Sequence, residues 1–247
     1  MFVTATVPDM APRDPFRAPE VASRRNRPAK PPLSRDAIVE EALRQVTADD
    51  GAAMSLRKVA AALDTGPASL YAYVHDLTEL QALVLDRALA DVTTGEPGMP
   101  WRERLDLILR SYVQTLAASP ALARLAFGAT AVGPHALRVN EAVLEVLADA
   151  GVDEQNAAWS IALLTTFVTA VAAEHAGGDH PAEPGGPVAQ ALDRVSPAEH
   201  PRVHAARTLI LSGTGEERFT WSAEVLIQGI LAHGTAGTPP RGAPAAS

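Results

Sequence analysis

The chain has 247 residues, a formal net charge of −8, 47% hydrophobic residues, 4% aromatic residues and no cysteine. The absence of cysteine excludes disulfide bonds, thiolate metal sites and a cysteine nucleophile. No early apolar segment suits a signal peptide. The longest apolar run, residues 161–173, is shorter than the roughly 20 residues that a membrane-spanning helix needs. These features predict a cytoplasmic protein that does not associate with a membrane.

The charges are distributed unevenly, and their placement bears more on binding partners than their sum does. Residues 1–32 contain many prolines and no helical period, which predicts a disordered arm. Its end is basic, without an acidic residue between positions 21 and 35. Such an arm either contacts DNA or is a solvated tail without a role, and the sequence leaves both open. The basic residues are Arg24, Arg25, Arg27, Lys30 and Arg35.

Two helices are predicted between residues 33 and 63. Ser34 can cap the first, which should end at Gly51, and Ser55 can cap the second. A sharp exit follows, where we expect Gly66 to adopt a positive φ. The second helix carries one apolar stripe, made of Leu56, Val59, Ala60 and Leu63.

Pro67 then begins a third helix, since its missing N–H costs nothing at the first helical position. Leu70 and Val74 are one turn apart and are predicted to point inward. This helix is too short to be stable alone, so packing must hold it. A short helix that presents hydroxyl groups and aromatic rings, braced by the helix before it, is typical of helix-turn-helix DNA binding. The side chains predicted to face outward are those of Ser69, Tyr71, Ala72 and Tyr73.

A longer helix is predicted over residues 77–92, with Asp76 and Glu79 as its capping pair. It is apolar around much of its circumference, so it should contact both the preceding helices and those that follow. The Gly/Pro-rich residues 93–100 are predicted to form a hinge. The domains on either side are a DNA-binding domain over residues 33–92 and a second domain over residues 101–235, and residues 236–247 are predicted to be a disordered tail.

Only helical patterns follow the hinge, so the predicted fold class is all-α. The helices predicted over residues 153–175 and 216–233 are apolar on more than one face, more than a monomer needs to bury. We therefore expect a homodimer in which these helices form a four-helix bundle. The alternative is that both helices lie within one large core.

Several residues of the short helices match a known family pattern. They are Arg57-Lys58-Val59-Ala60, Leu63, residues 69–74 and Leu80. This arrangement resembles the DNA-binding domain of the tetracycline-repressor (TetR) family of bacterial transcriptional regulators. The resemblance implies two such domains per dimer, placed on a palindromic site in double-stranded DNA.

The resemblance also implies a DNA contact for each matching position. Arg57 is expected to bind a guanine, a contact that contributes roughly 1–3 kcal/mol of base discrimination. Pro67 and Ala68 are expected near thymine methyl groups. Leu77 departs from the family, whose members often carry a phosphate-binding lysine there. The other expected contacts, with phosphates, come from Ser55, Thr65, Ser69, Tyr71 and Tyr73.

In the C-terminal half the resemblance is weaker and implies a pocket for a small-molecule effector. Phe127 stands in place of the family's metal-binding histidine, and Val143 in place of a glutamine. Because a phenyl ring does not bind metals, we expect no metal or other cofactor, and an apolar or aromatic effector instead. The alternative is that these side chains only pack the core. The ligand-binding residues predicted in this way are Ile108, Tyr112, Phe127, Val143 and Glu174.

One cluster has the residue types of a metal site: Glu174, His175, Asp179 and His180. The two histidines are five residues apart across a glycine pair, which does not place them on one helical face. We predict a solvated helix end here and no metal.

The sequence thus predicts a ligand-responsive repressor in the cytoplasm, associated with the nucleoid and released from its operator by an effector. Two other classes remain open. The first is an all-helical DNA-architectural or interaction protein without an effector. The second is an all-helical enzyme, for which the sequence shows no catalytic constellation.

Overall fold

The computed structural model describes residues 32–48, 54–129, 131–176 and 186–234. These residues form eleven α-helices and no strand, which confirms the prediction of an all-α fold. The arm predicted before residue 32, the helix end predicted at Gly51 and the predicted tail lie outside the described residues. Asp179 and His180, which belong to the cluster with the residue types of a metal site, also lie outside the described residues.

The N-terminal unit consists of four helices. They are α1 (Arg35–Ala48), α2 (Leu56–Ala62), α3 (Pro67–Leu70) and α4 (Leu77–Ala88), and a 3-10 turn over Leu89–Asp91 prolongs α4. The C-terminal body consists of α5 (Trp101–Ala117), α6 (Pro120–Gly128), α7 (Pro134–Asp149), α8 (Glu154–Ala176), α9 (Pro187–Asp193), α10 (Pro201–Ile210) and α11 (Gly215–Gly234).

The predicted helix caps are present. The Ser34 hydroxyl accepts a hydrogen bond from the Ala37 N–H over 3.1 Å, and the Ser55 hydroxyl accepts one from the Lys58 N–H over 3.2 Å. At α4 the Asp76 carboxylate accepts from the Glu79 N–H over 2.8 Å. These bonds satisfy N–H groups that have no partner within their own helix, so they fix where α1, α2 and α4 begin. The Glu79 carboxylate accepts from the N–H of His75, one residue before the cap, and not from that of Asp76 as a capping pair would.

The turn between α2 and α3 differs from the expectation at Gly66. Gly66 has an ordinary φ of −83° and is the residue before α3, whereas the positive φ, 51°, belongs to Asp64. The N–H of Asp64 bonds the carbonyl of Ala61, and the N–H of Thr65 bonds that of Ala60. This is a Schellman end, which requires the left-handed conformation one residue after the C-cap. Aspartate tolerates that conformation better than most residues do.

The segment after Pro67 is α-helical only as far as Leu70 and continues as turns to Tyr73. Leu70 and Val74 are buried, as predicted, and Tyr71 is exposed. Tyr73 is buried, so the prediction that it faces outward is wrong. It follows Leu70 by three residues, and that spacing brings it back to the buried side of the turn.

Two hydrophobic cores share α4. The N-terminal core is formed by one face of each of α1 to α4, and it includes Leu80 and Val84 of α4. The C-terminal core extends through the body and includes Leu85, Leu89 and Val92 from the end of the same helix. The prediction that this helix contacts both parts of the chain is therefore confirmed.

The connection over residues 93–100 is irregular, with positive φ at Gly95 and Gly98. It is nevertheless tied to α5 at two points. The Thr93 N–H donates to the Ser111 hydroxyl over 2.8 Å, and the Arg104 guanidinium donates to the Thr94 carbonyl over 2.9 Å.

The central helix of the body is α8, which contacts α5, α6, α7 and α11. Among the described helices it alone is long and apolar enough to span a membrane, with 23 residues and a mean hydropathy of 1.5. Its packing inside the helical body accounts for part of that apolar surface. The rest of it faces outward beside α11, where Trp159 and Trp221 are 68% and 70% exposed.

Candidate nucleic-acid interface and effector cavity

The exposed surface of α2 and α3 carries most of the residues predicted to contact DNA. Arg57 is exposed on α2, and Pro67 and Ala68 are exposed at the start of α3. Tyr71 is 57% exposed, which is unusual for an aromatic side chain so close to a core. The surface formed by these residues is named the reading face below. It offers a guanidinium group, small apolar groups and a phenol to a partner.

Ser55, Thr65 and Ser69 are partly exposed. The Ser55 hydroxyl already accepts a hydrogen bond as the cap of α2, and its own proton remains available for donation. Tyr73 differs from these residues because it is 8% exposed and belongs to the N-terminal core. The structure therefore brings seven of the eight predicted positions to the surface and places the eighth inside.

Two ion pairs tie α1 to α4 behind the reading face. Arg87 on α4 pairs with Glu40 on α1. Arg35, the last member of the basic run, lies 4.0 Å from Glu79 at the start of α4. These contacts join α1 to α4, and they place Arg35 in a structural contact. The exposed pair of Arg87 and Glu40 contributes at most about 1 kcal/mol.

A cavity of about 540 Å³ lies in the body beside α4. Its wall is mainly carbon, and the described residues that line it carry no charged side chain. Its polar groups are the Tyr112 hydroxyl, the Asn140 amide and three threonine hydroxyls. The lining residues are Leu85, Tyr112, Ala126, Ala129, Ala131, Val132, Ala136, Asn140, Ile161, Ala162, Thr165, Thr166 and Thr169.

Tyr112 is the link between this cavity and a second, much smaller one. The small cavity has room for about one water molecule (20 Å³), and Ile108, Tyr112 and Val143 line it together. Burial raises the pKa of Tyr112 to about 12, and the nearby Asp86 carboxylate adds to the increase. Tyr112 is therefore a neutral phenol at physiological pH, able to donate or accept a hydrogen bond.

Phe127 and Glu174 do not join the other predicted ligand-binding residues. Phe127 lies between the lining residues Ala126 and Ala129, but its ring is 62% exposed. Glu174 is exposed near the end of α8, beyond the last lining residue of that helix. Of the five predicted residues, only Tyr112 lines the large cavity. Ile108 and Val143 line the small one with it, and the other two lie outside both cavities.

The outer side of α8 and α11 forms an apolar groove. Trp159, Leu163 and Val225 line it, together with small residues such as Ser160 and Gly229, and its volume is about 440 Å³. Trp221 lies one turn before Val225 on α11 and is also exposed. A contiguous apolar surface of this kind is typical of a protein–protein interface.

More than half of the chain, residues 94–233, matches the family model described as Tetracyclin repressor-like, C-terminal domain. The solved structure of the TetR family protein ActR from Streptomyces coelicolor in complex with (S)-DNPA is similar, with 33% identity and a TM-score of 0.75. That similarity covers 83% of this chain and 100% of the ActR chain. This chain belongs to the TetR family.

Two further relatives agree with this membership. The HTH-type transcriptional repressor DrrR1 of Streptomyces coeruleorubidus is 31% identical over 159 residues, which cover 62% of this chain and 57% of that repressor. ActR in complex with actinorhodin is 32% identical, with a TM-score of 0.73, over 84% of this chain and 100% of the other.

TetR family membership decides the class of activity. The chain is a cytoplasmic, ligand-responsive DNA-binding regulator of the repressor type, and it is not an enzyme. TetR family regulators bind DNA and small-molecule effectors, typically as dimers.

Two features of this TetR family regulator were not predicted from the sequence. Lys58 is exposed beside Arg57 and adds a second positive charge to the reading face. The adjacent basic residues at the start of α2 were a sequence signal for it. The cavity wall from the middle of α8, with its threonines, was also missed. Those threonines interrupt the apolar pattern of α8 at positions 165, 166 and 169.

Proposed function

We propose that the chain acts as a homodimer that occupies a palindromic operator and leaves it when a neutral, mainly aromatic effector fills the 540 Å³ cavity. The observation that carries this proposal is the combination of an exposed reading face and an uncharged cavity that share one helix. The shared helix is α4. Its Leu80 packs in the N-terminal core beneath the reading face, and its Leu85 lines the cavity.

The dimer is proposed to form through α8 and α11. Their outward tryptophans would be buried against the same helices of a second copy, giving a four-helix bundle. A two-fold axis between the copies repeats the reading face, and two half-sites about 34–36 Å apart, one duplex turn, fit such a pair. The operator is then palindromic because the protein is symmetric.

At each half-site the reading face is proposed to enter the major groove. Arg57 reads a guanine through two hydrogen bonds, and Pro67 and Ala68 contact thymine methyl groups. Ser55, Thr65, Ser69 and Tyr71 bind phosphates and so fix the position of the helix without reading sequence. Lys58 attracts phosphates. It thereby offsets the absence of the phosphate-binding lysine that family members often carry at the position of Leu77.

The effector class follows from the cavity wall. A volume of about 540 Å³ lies within the range of small-molecule sites, about 300–1,000 Å³. Hydroxyl and amide groups on a carbon wall suit a planar ligand with hydroxyl or carbonyl groups and no net charge. The solved structures of the similar protein ActR hold (S)-DNPA or actinorhodin, so a small-molecule effector is expected here as well.

Effector binding is proposed to act on the DNA-binding unit through α4. Leu85 of α4 and Ala136 of α7 both line the cavity, so a ligand between them changes how these two helices pack. The two reading faces then no longer match successive grooves. Linkage requires the reciprocal effect, so the operator must weaken effector binding by the same factor.

Selection of bound duplexes from random DNA by the purified full-length chain tests this function. We expect a palindromic consensus, and binding that weakens steeply as salt rises. Arg57→Ala should abolish the preference for one base in gel shifts, whereas Arg124→Ala, which removes an exposed arginine from α6, should leave binding unchanged. Selection of no sequence, or equal binding by Arg57→Ala, would refute the proposal.

Native mass spectrometry of the purified chain tests the effector class. We expect a co-purified or added neutral aromatic compound to occupy one site per chain and to release the selected operator. An effector carrying a formal charge would contradict the argument from the cavity wall. Co-localisation of the chain with the nucleoid in cells is expected as well.

A further inference from the structure

Asp86 is a buried acidic residue on α4 whose side chain serves another helix. It is 3% exposed, and one carboxylate oxygen accepts a hydrogen bond from the Ala136 N–H over 2.9 Å. The other oxygen accepts from the His135 N–H over 3.4 Å. Both N–H groups belong to the first turn of α7.

The start of α7 lacks a cap of its own. Its N-cap residue is Gly133, which has no side chain, and its first helical residue is Pro134, which has no N–H. The N–H groups of the next two residues need an acceptor, and Asp86 supplies it. The negative charge also lies at the positive end of the α7 dipole, which stabilises the pair further.

Arg138 on α7 makes the reverse connection. Its Nη2 atom donates to the carbonyl oxygens of Leu89, Ala90 and Val92, at 3.0, 3.2 and 2.9 Å. These carbonyls lie at and just beyond the 3-10 turn that ends α4, where few carbonyl groups have helical partners. The Leu89 carbonyl also accepts the Val92 N–H. A guanidinium group at this end is also favoured by the helix dipole.

Asp86 and Arg138 therefore form two opposed caps, named the latch here. Asp86 extends from α4 to the start of α7, and Arg138 extends from α7 to the end of α4. One contact runs from α4 to α7 and the other from α7 to α4, and they lie only a few residues apart on each helix. Together they oppose rotation of one helix against the other as well as sliding along it. α4 carries the N-terminal unit, and α7 belongs to the body.

We propose that the latch fixes the angle at which each reading face leaves the body, and so determines the half-site spacing that the dimer accepts. Asp86 and Arg138 are thus positioning residues for operator specificity, although neither touches DNA. This inference rests on the proposed dimeric operator binding. Without the latch, α4 keeps its hydrophobic contacts but can take several angles, and the dimer then tolerates operators of different length.

The test compares the selected operator with derivatives that have one or two base pairs inserted at the centre. Each inserted pair moves one half-site by about 3.4 Å and turns it by about 34°. We expect the wild-type chain to lose about tenfold or more in affinity with one insertion. For Arg138→Gln and Asp86→Ala we expect a loss of about threefold or less, measured as the ratio of Kd values on the two DNAs.

Controls separate the latch from simple destabilisation. A less stable protein has a lower active fraction on every DNA, so the ratio between spacings stays that of the wild type. Asp86→Asn keeps an acceptor for the Ala136 N–H but loses the charge and the acceptor for the His135 N–H, so its ratio should lie between those of the wild type and Asp86→Ala. Glu145→Ala is the control for a lost contact on α7, since it removes an ion pair between α7 and α5, through Arg104, without touching α4, α8 or α11.

The outcomes distinguish this inference from the function on which it rests. Wild-type ratios in Arg138→Gln and Asp86→Ala would overturn the latch and leave operator binding intact. A ratio in Glu145→Ala as low as that of the two latch variants would overturn it too, because any lost contact of α7 would then have the same effect. A chain that selects no operator would refute both proposals. Should Asp86→Ala fail to fold, Arg138→Gln decides, because Arg138 is exposed.

Discussion

The hydroxyl of Ser119 donates a hydrogen bond of 2.8 Å to the backbone carbonyl of Val46, and so joins the body to the last turns of α1. The same oxygen accepts a hydrogen bond from the Leu122 N–H over 3.0 Å and thereby caps α6. Ser119 is buried, so water cannot replace either partner. One hydroxyl group thus serves a helix cap and a contact between the N-terminal unit and the body.

Ser119→Ala is predicted to lower the free energy of unfolding by about 1–3 kcal/mol, because it leaves a buried carbonyl and a helix N–H without partners. Urea denaturation measures this difference. Ser212→Ala removes an exposed hydroxyl that bonds the Leu209 carbonyl within its own turn, and it should change stability by less than about 0.5 kcal/mol. Equal losses in the two variants would contradict the prediction.

Tyr71 and Tyr73 are predicted to separate binding from stability. Tyr71→Ala should weaken binding to the selected operator about tenfold, through lost phosphate and groove contacts, with a stability change within about 0.5 kcal/mol. Tyr73→Ala should instead lower stability by about 3 kcal/mol, because it empties part of the N-terminal core. Gel shifts and thermal unfolding of both variants check this. A destabilised Tyr71→Ala with normal DNA affinity would count against the reading face.

Trp159→Arg and Trp221→Arg are predicted to produce monomers. Each places a charge in the interface proposed between copies, where it has no partner. Sedimentation velocity at micromolar concentration should show a dimer for the wild type and a monomer for both variants. Leu137→Arg is the control, since it changes an exposed apolar residue of α7 outside the proposed bundle. A wild-type chain that sediments only as a monomer would refute the interface.

The pKa of Tyr112 gives a prediction about stability at alkaline pH. Because this pKa rises from 10.0 to about 12 in the folded chain, the folded state holds the phenol proton more tightly than the unfolded state does. The resulting stabilisation is complete below pH 10 and is lost as the pH rises towards 12. The unfolding free energy of the wild type should therefore fall relative to that of Tyr112→Phe over this range. Absorbance of the phenolate, taken as a difference between the two proteins, should show a titration near pH 12.

The helix ends could be predicted from the sequence because their causes are local. Ser34, Ser55 and Asp76 each cap a helix that begins within one residue of the prediction. The turn after α2 was assigned to the wrong residue because glycine was preferred for a positive φ. A Schellman end fixes that position by counting from the last helical residue, and the count leads to Asp64.

The misplaced side chains have non-local causes. A regular continuation of the short helix would expose Tyr73, whereas the chain leaves the helix after Leu70 and places the ring in the N-terminal core. The resemblance matches residue types position by position and does not fix the orientation of a helix. The exposure of Phe127 could therefore not be predicted from it. Asp86 gave no signal either, since its partners lie about fifty positions away and are backbone groups.

Because α4 belongs to both cores, a hybrid protein made by joining one unit of this chain to the other unit of a relative disrupts packed side chains wherever the junction lies. A hybrid regulator joined at residue 93 would pair Leu85, Leu89 and Val92 with a foreign body. Joining at residue 76 would instead set Leu80, Leu83 and Val84 against foreign neighbours. Exchanging the DNA-binding unit of this chain therefore calls for a donor that matches at three such positions, so the chain is less modular than its two-part layout suggests.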